Sequence, residues 1–221
     1  MITEKEYLQT VSETNADYTP FIDIAINERA FRNILIKHLI ENEEINIYYH
    51  SYMILKEVTK TTPSLFYCYW DNFLFLLKHE NSYHRNYGMD LIANIIPADK
   101  NNLFGPILDD YYRQLYDEKL VTIKHCIENS AAIINEKPKL TTIIISKIID
   151  SLRVNTNSEK HQNFLILKFL KLLSSIDSNL VDKKTVGEFL LIVLNDTKSD
   201  KIKKEIKKYG ANRVDCPASA C

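Results

Sequence analysis

Residues 70–96, WDNFLFLLKHENSYHRNYGMDLIANII, hold two apolar runs, Phe73 to Lys78 and Tyr83 to Ile96, on either side of a polar corner, His79-Glu80-Asn81-Ser82. Apolar side chains that return every three or four positions mark one face of an amphipathic helix, so the stretch predicts helix, turn, helix. Arg85 falls in the first turn of the second helix. Variants of this unit recur along the chain.

Working outward, a short helix is expected over Glu4 to Val11, then a turn-rich linker from Ser12 to Pro20. Helical spacing follows over Ala30 to Ile40, and after a corner at Glu41 to Glu44, over Ile45 to Val58. Thr62-Pro63 is a helix-start signal, because threonine can cap and proline is tolerated at the first helical position. One helix is predicted from Pro63 to about Lys78, and the next from Ser82 to Ile96, where Pro97 stops it. Further pairs are expected over Asn102–Tyr116 and Val121–Asn135, Leu140–Leu152 and Ser158–Ile176, and Lys183–Leu194 and Ser199–Tyr209. The organisation predicted is an N-terminal helix and linker (1–20), a helical repeat domain (21–210) and an unstructured tail (211–221).

The composition agrees with an all-α chain. Only four glycines and six prolines occur in 221 residues, and 45% apolar with 26% charged residues is an ordinary globular balance. The net charge of −1 is uneven: residues 1–60 carry 6 basic and 10 acidic groups, 61–137 carry 7 and 10, and 138–221 carry 15 and 9. An acidic front and a basic rear suit a charged partner, head-to-tail contacts or solvated helix faces alike. Cys68 and Cys126 lie inside apolar patterns as small hydrophobes, while Cys216 and Cys221 share the tail and could pair. No secretory leader pattern or bilayer-length apolar run is present, so a cytoplasmic chain is expected.

The second helices superpose without gaps: Tyr48, Arg85, Lys124 and Asn163 align at steps of 37, 39 and 39 residues, which brings Leu55, Ile92, Ala131 and Leu170 to one inward position. A helical pair repeated near 40 residues cannot bury its apolar face alone, whereas stacked pairs can. The segments LLKHENSYHRNYGMDLIANII and LYDEKLVTIKHCIENSAAII resemble HEAT repeats of the armadillo-like superfamily, in which an acidic corner residue precedes an apolar residue and then an arginine or lysine. Asp117, Ile123 and Lys124 follow that pattern with one extra residue of spacing; Arg85 matches the basic position, with His79 where the acid is expected. The resemblance covers about residues 28–210 and implies a right-handed α-α superhelix, a HEAT-like solenoid of about five helical pairs. It also implies that Asp117, Arg85 and Lys124 tie repeats together.

In that family the second helices line the concave surface. The stripe one step past the basic position reads Tyr49, Met53 and Glu57, then Asn86, Asp90 and Asn94, then His125 and Asn129, then Phe164 and Lys168. Its mixture of aromatic, amide and charged groups suits a protein or peptide more than a phosphate backbone. A non-catalytic interaction scaffold is therefore expected, without a cofactor or metal. His79 and His84 stand five residues apart across a corner, which does not place them on one helix face as zinc ligands.

The alternative is a nucleic-acid module. HEAT-like alkylation-repair DNA glycosylases use tryptophan, aspartate and arginine on their concave face, and Trp70, Asp109, Asp110 and Arg113 supply those residue types. The middle third is nevertheless acidic, whereas a duplex groove needs several phosphate-neutralising cations. The C-terminal segment KSDKIKKEIKKYGANR, from Lys198, carries seven basic and two acidic residues, including Lys203 and Lys207, with Ile202 and Ile206 on its apolar side. It fits an anionic partner or the polar cap that a terminal repeat requires.

Overall fold

The computed structural model describes residues 2–154 and 158–211. Among these the regular structure is helical, with no strand. The α-helices are α1 (Glu4–Val11), α2 (Pro20–Asn27), α3 (Arg29–Glu41), α4 (Ile45–Thr61), α5 (Pro63–Phe66), α6 (Trp70–Leu76), α7 (Ser82–Ile95), α8 (Phe104–Tyr112), α9 (Leu120–Glu136), α10 (Thr141–Val154), α11 (Glu159–Ser175), α12 (Lys183–Asp196) and α13 (Asp200–Ala211). None is long and apolar enough to cross a membrane. The expected repeat domain divides into two packing units between Ile107 and Leu108, inside α8. Cys216 and Cys221 lie outside the described residues.

In the first unit α3 packs on α4 and α6 on α7; α4 also meets α7, and α3 meets α6. First helices thus neighbour first helices, and second neighbour second. The polar contacts repeat that register. The Tyr69 hydroxyl donates to Asn33 Oδ1 at 2.6 Å, 36 residues away, and the Tyr52 hydroxyl to Asp90 Oδ2 at 2.5 Å, 38 residues away. Asn94 Nδ2 donates to the Lys56 carbonyl at 3.2 Å and to Thr59 Oγ1 at 3.0 Å.

Two stretches depart from expectation. Residues 21–29, to which no helix was assigned between the linker and Ala30, contain most of α2, which starts at Pro20 where the linker was expected to end and buries Phe21 and Ala25; its Thr19-Pro20 start is the same signal as Thr62-Pro63. The single helix expected over Pro63–Lys78 is broken by a 3-10 turn at Tyr67–Tyr69. That tighter winding turns Phe66, Tyr69 and Trp70 inward, while the Tyr67 hydroxyl reaches Asp99 at 2.8 Å. Asp99 also accepts from the amides of Leu103 and Phe104, ordering the approach to α8.

At the N-terminal end α1 is fastened by a capping box between Thr3 and Glu6. Its Tyr7 is fully buried, meets Phe21 and Phe31 edge-on at 5.2 and 5.3 Å, and shares a 2.6 Å hydrogen bond with Ser51 of α4. The helix covers apolar surface that α3 and α4 would otherwise expose.

The second unit repeats the packing order. α9 lies against the 3-10 turn Arg113–Tyr116 that continues α8, α11 against both α9 and α10, and α13 against both α11 and α12. Asp109 of α8 pairs with Lys147 of α10 at 2.7 Å, and Lys168 of α11 with Glu128 of α9 at 2.7 Å, 40 residues apart. Ile144, Ile145, Ile148 and Ile149 form the buried side of α10, and Ile202 and Ile206 that of α13. Of the four positions aligned as inward, Leu55, Ile92 and Leu170 are buried and Ala131 only half so.

Gly88 sets how closely α6 approaches α7. A Cβ there would lie 2.8 Å from Leu76 Cβ and 2.9 Å from the Phe73 carbonyl oxygen, a backbone atom that cannot step aside. Gly88→Ala gains roughly 1 kcal/mol of helix propensity against an overpacking cost of about 1–3 kcal/mol. The variant is expected to unfold at lower urea concentration than the parent, with an unchanged m-value; equal or greater stability would show that the two helices can part without cost.

Candidate functional site

Aromatic rings accumulate on the second helices of the first unit. Tyr52 and Tyr87 stack at 3.8 Å, nearly parallel, and Tyr87 continues to Tyr48 at 6.4 Å and Tyr83 at 6.5 Å. Tyr48 in turn lies 4.6 Å from His84, which stacks on His79 at 4.2 Å. Around His50, Tyr18 and Tyr49 lie at 5.9 and 5.4 Å. Tyr48, Tyr52 and Tyr87 are buried, whereas Tyr49 is 42% and Tyr83 59% exposed. Ile45, one turn before Tyr49 on α4, is exposed as well.

Asp90 is the charged centre beneath these rings. Besides the Tyr52 hydroxyl it faces the Lys56 ammonium at 3.5 Å, and Lys56 lies 5.4 Å from the centre of the Tyr52 ring. Burial, then the Asp90 charge and its hydrogen bond, push the Tyr52 phenol far above its ordinary pKa. Tyr87 is likewise raised, by burial first and then by Tyr48, Tyr49, Tyr83 and Asp90. Both phenols remain neutral throughout the physiological range, and that of Tyr52 donates to Asp90.

This geometry corrects part of the expected stripe. Asn86 and Asp90 are 3% and 6% exposed, so neither is presented to a partner; the face that was to be open is the one by which α7 meets its neighbours. Asn94 is half-buried and bonded to α4. The exposed members near the α4–α7 contact are Tyr49, which the stripe included, and Tyr83 and Ile45, which it did not. The missing signal was the N-terminal turn of each helix, where residues escape the next repeat.

In the second unit His125 and Asn129 are half-buried on α9. Lys168 is tied down: beyond its ion pair with Glu128 it lies 5.3 Å from the Phe164 ring. Burial opposes the Glu128 carboxylate, but Lys168 and Lys124, the latter at 3.4 Å, outweigh it and hold the pKa below the usual range. The Lys124 pair stays within α9, and Lys168 is the cation that links α9 to α11 through Glu128. Arg85 donates to the His79 and Glu80 carbonyls at 2.8 and 2.6 Å, closing its own corner, and Asp117 accepts from the Lys119 amide.

The alternative set is not assembled for base capture. Trp70 is 4% exposed and packs edge-on against Tyr67, so its face is unavailable for stacking. Asp109 is engaged by Lys147 and Asp110 by Arg113 at 2.8 Å. Lys207 is exposed and Lys203 half-buried on α13. Cys126 is buried, which pushes its thiol pKa well up and makes it a poor nucleophile. A cleft of about 270 Å³ opens among Arg153, Gln162, Ile166, Phe189 and Lys198. Among the described residues no group of three histidine, cysteine or acidic side chains could hold a metal ion.

No family model and no curated protein matches the chain. A structural match is the crystal structure of an engineered protein, 13% identical, with a TM-score of 0.55 over 95% of this chain and 87% of that one. At that identity the likeness shows the fold alone.

His84 provides a pH test of the cluster. It is buried, one ring nitrogen bonds to the Leu39 backbone and Nδ1 has no partner; burial first, then His79, lower its pKa to about 4. The unfolded chain, with the ordinary value of 6.5, takes up a proton first. Stability is therefore level above about pH 6.5 and falls as the pH drops towards 4, by up to about 3 kcal/mol from this group. His84→Phe, which cannot charge, is expected to flatten that part of the curve in urea titrations at pH 7, 5.5 and 4.5; an identical loss in both proteins would acquit His84.

Proposed function

We propose that the chain is a non-catalytic protein-interaction scaffold, a right-handed HEAT-like solenoid of about five helical pairs that binds a protein or peptide in the cytoplasm. The repeated register of helix contacts in each unit, with polar links 36–40 residues apart, supports the architecture. The observation that carries the function is the exposure of Tyr49 and Tyr83 directly above the buried Tyr52–Tyr87 stack. Exposed tyrosines on a fixed base are typical interface anchors, because little side-chain entropy is lost when they are covered. Among the described residues the groups with strongly shifted ionisation, Tyr7, Tyr52, Tyr87, Tyr112, His84 and Cys126, are all buried, where a substrate cannot meet them.

The second reading, a nucleic-acid module through α13, rests on the burial of Ile202 and Ile206, which leaves the lysines of that helix on its outer side. A glycosylase reading loses its stacking residue with Trp70. Affinity capture from the native host, washed at low and high salt, separates these readings. The expected result is a protein that survives high salt and whose recovery falls at least ~10-fold with Tyr49→Ala/Tyr83→Ala, each anchor being worth roughly 1–2 kcal/mol. Unchanged recovery with that variant would refute the tyrosine face. Nucleic acid lost at high salt and on Lys203→Ala/Lys207→Ala would favour α13.

A further inference from the structure

The first unit carries nine basic and fourteen acidic side chains, a net of −5, and several of the acidic residues stand next to surface rings or to Ile45 in the chain. Glu43 and Glu44 precede Ile45 at the start of α4, Glu80 lies in the corner before Tyr83, and Asp17 adjoins Tyr18. Asp17, Glu57 and Tyr49 act electrostatically on the Tyr18 hydroxyl, whose pKa is raised by burial first and then by Glu57, Tyr49 and Asp17. Four groups from the α1–α2 connection and from α4 therefore share one neighbourhood. Negative potential and ring faces together repel phosphate and carboxylate and attract a cation.

The same unit already contains that combination. Lys56 rests on the Tyr52 ring with Asp90 as its counter-ion, and the Arg32 guanidinium lies 5.8 Å from the Phe66 ring. At the surface the rings and carboxylates are present while the cation is only loosely supplied. Glu57 meets Lys60 at 3.7 Å, with both side chains nearly half exposed, a surface pair that a better-placed cation displaces at little cost. Asp17 spends one oxygen on the Thr19 amide and hydroxyl and keeps the other.

We propose that the occupant of this face is a cationic peptide segment, its arginine or lysine side chains lying on the Tyr18 and Tyr49 rings beside the Asp17 and Glu57 carboxylates and extending to the Tyr83 ring, with an aliphatic neighbour against Ile45. This rests on the interaction reading above and gives it a partner chemistry. Arginine fits better than lysine, because its planar guanidinium stacks on a ring while bonding a carboxylate edge-on.

The test is to pan a phage-displayed library of random dodecapeptides against the full chain, discarding phage that also bind Tyr49→Ala/Tyr83→Ala. Both tyrosines are exposed, so the variant is expected to keep the parent's circular dichroism and melting temperature. Retained peptides should be enriched in arginine and lysine, and fluorescence anisotropy of the best one should weaken with salt. Glu57→Gln and Asp17→Asn should each weaken it about threefold, the effect of one exposed ion pair. Enrichment of uncharged or acidic peptides that still require Tyr49 and Tyr83 would overturn the cationic assignment and leave the interaction face standing. Failure to retain any peptide dependent on these tyrosines would overturn both.

Discussion

The hydrogen bond from Tyr52 to Asp90, with Lys56 at its edge, is the constraint on which the first unit depends. A carboxylate taken out of water costs several kcal/mol unless hydrogen bonds and a counter-charge meet it. Here both come from α4, the equivalent helix of the preceding pair. The requirement fixes the register of α7 on α4, since a slip of one turn would carry Asp90 about 5.4 Å away from both partners. Asn94, one turn further on, repeats the demand by bonding to the Lys56 carbonyl and Thr59. From the opposite side α6 closes on Gly88, where no side chain holds it off. α7 is therefore enclosed along nearly its whole length, and its polar residues specify alignment.

Much of the architecture was legible because apolar spacing and corner residues are local signals. The boundaries of α1, α3, α7, α9, α11 and α13 fall within two residues of those expected. The failures have a common physical origin. Asn86 and Asp90 lie on a polar side of the α7 wheel, and a wheel cannot distinguish a side that meets water from one that meets a matching polar group 38 residues away. The break at Tyr67–Tyr69 is also a tertiary effect: nothing in the run LFYCYW forbids a continuous helix, but Tyr67 and Tyr69 bond to Asp99 and Asn33, and the tighter turn lets both reach. α2 was missed for a simpler reason: its short apolar run, beyond the linker, was assigned to no helix despite a recognisable start.

Strongly shifted ionisation is often a pointer to chemistry. In this chain it points inward. Tyr112 and Cys126 of the second unit are raised by complete burial, and the Tyr112 hydroxyl is spent on Ser130 at 3.0 Å. The perturbation at Tyr52, Tyr87 and His84 likewise measures how thoroughly the helices exclude water. Among the described residues these strongly shifted groups are packed inside the helices.

What faces solvent near the α4–α7 contact is shaped by what lies beneath it. Tyr49 and Tyr83 do not stand alone on a mobile loop; each sits on the N-terminal half of a helix whose next turn is locked, Tyr49 one turn above Tyr52 and Tyr83 one turn above Tyr87. The stack between Tyr52 and Tyr87 fixes the separation of the two helices and so of the two exposed rings. A partner that covers them thus orders little that is not already ordered, and more of the contact energy is kept as affinity. The buried carboxylate that sets the register is in this way also what holds the outer rings at a defined spacing, so helix packing and the proposed partner face draw on one set of contacts.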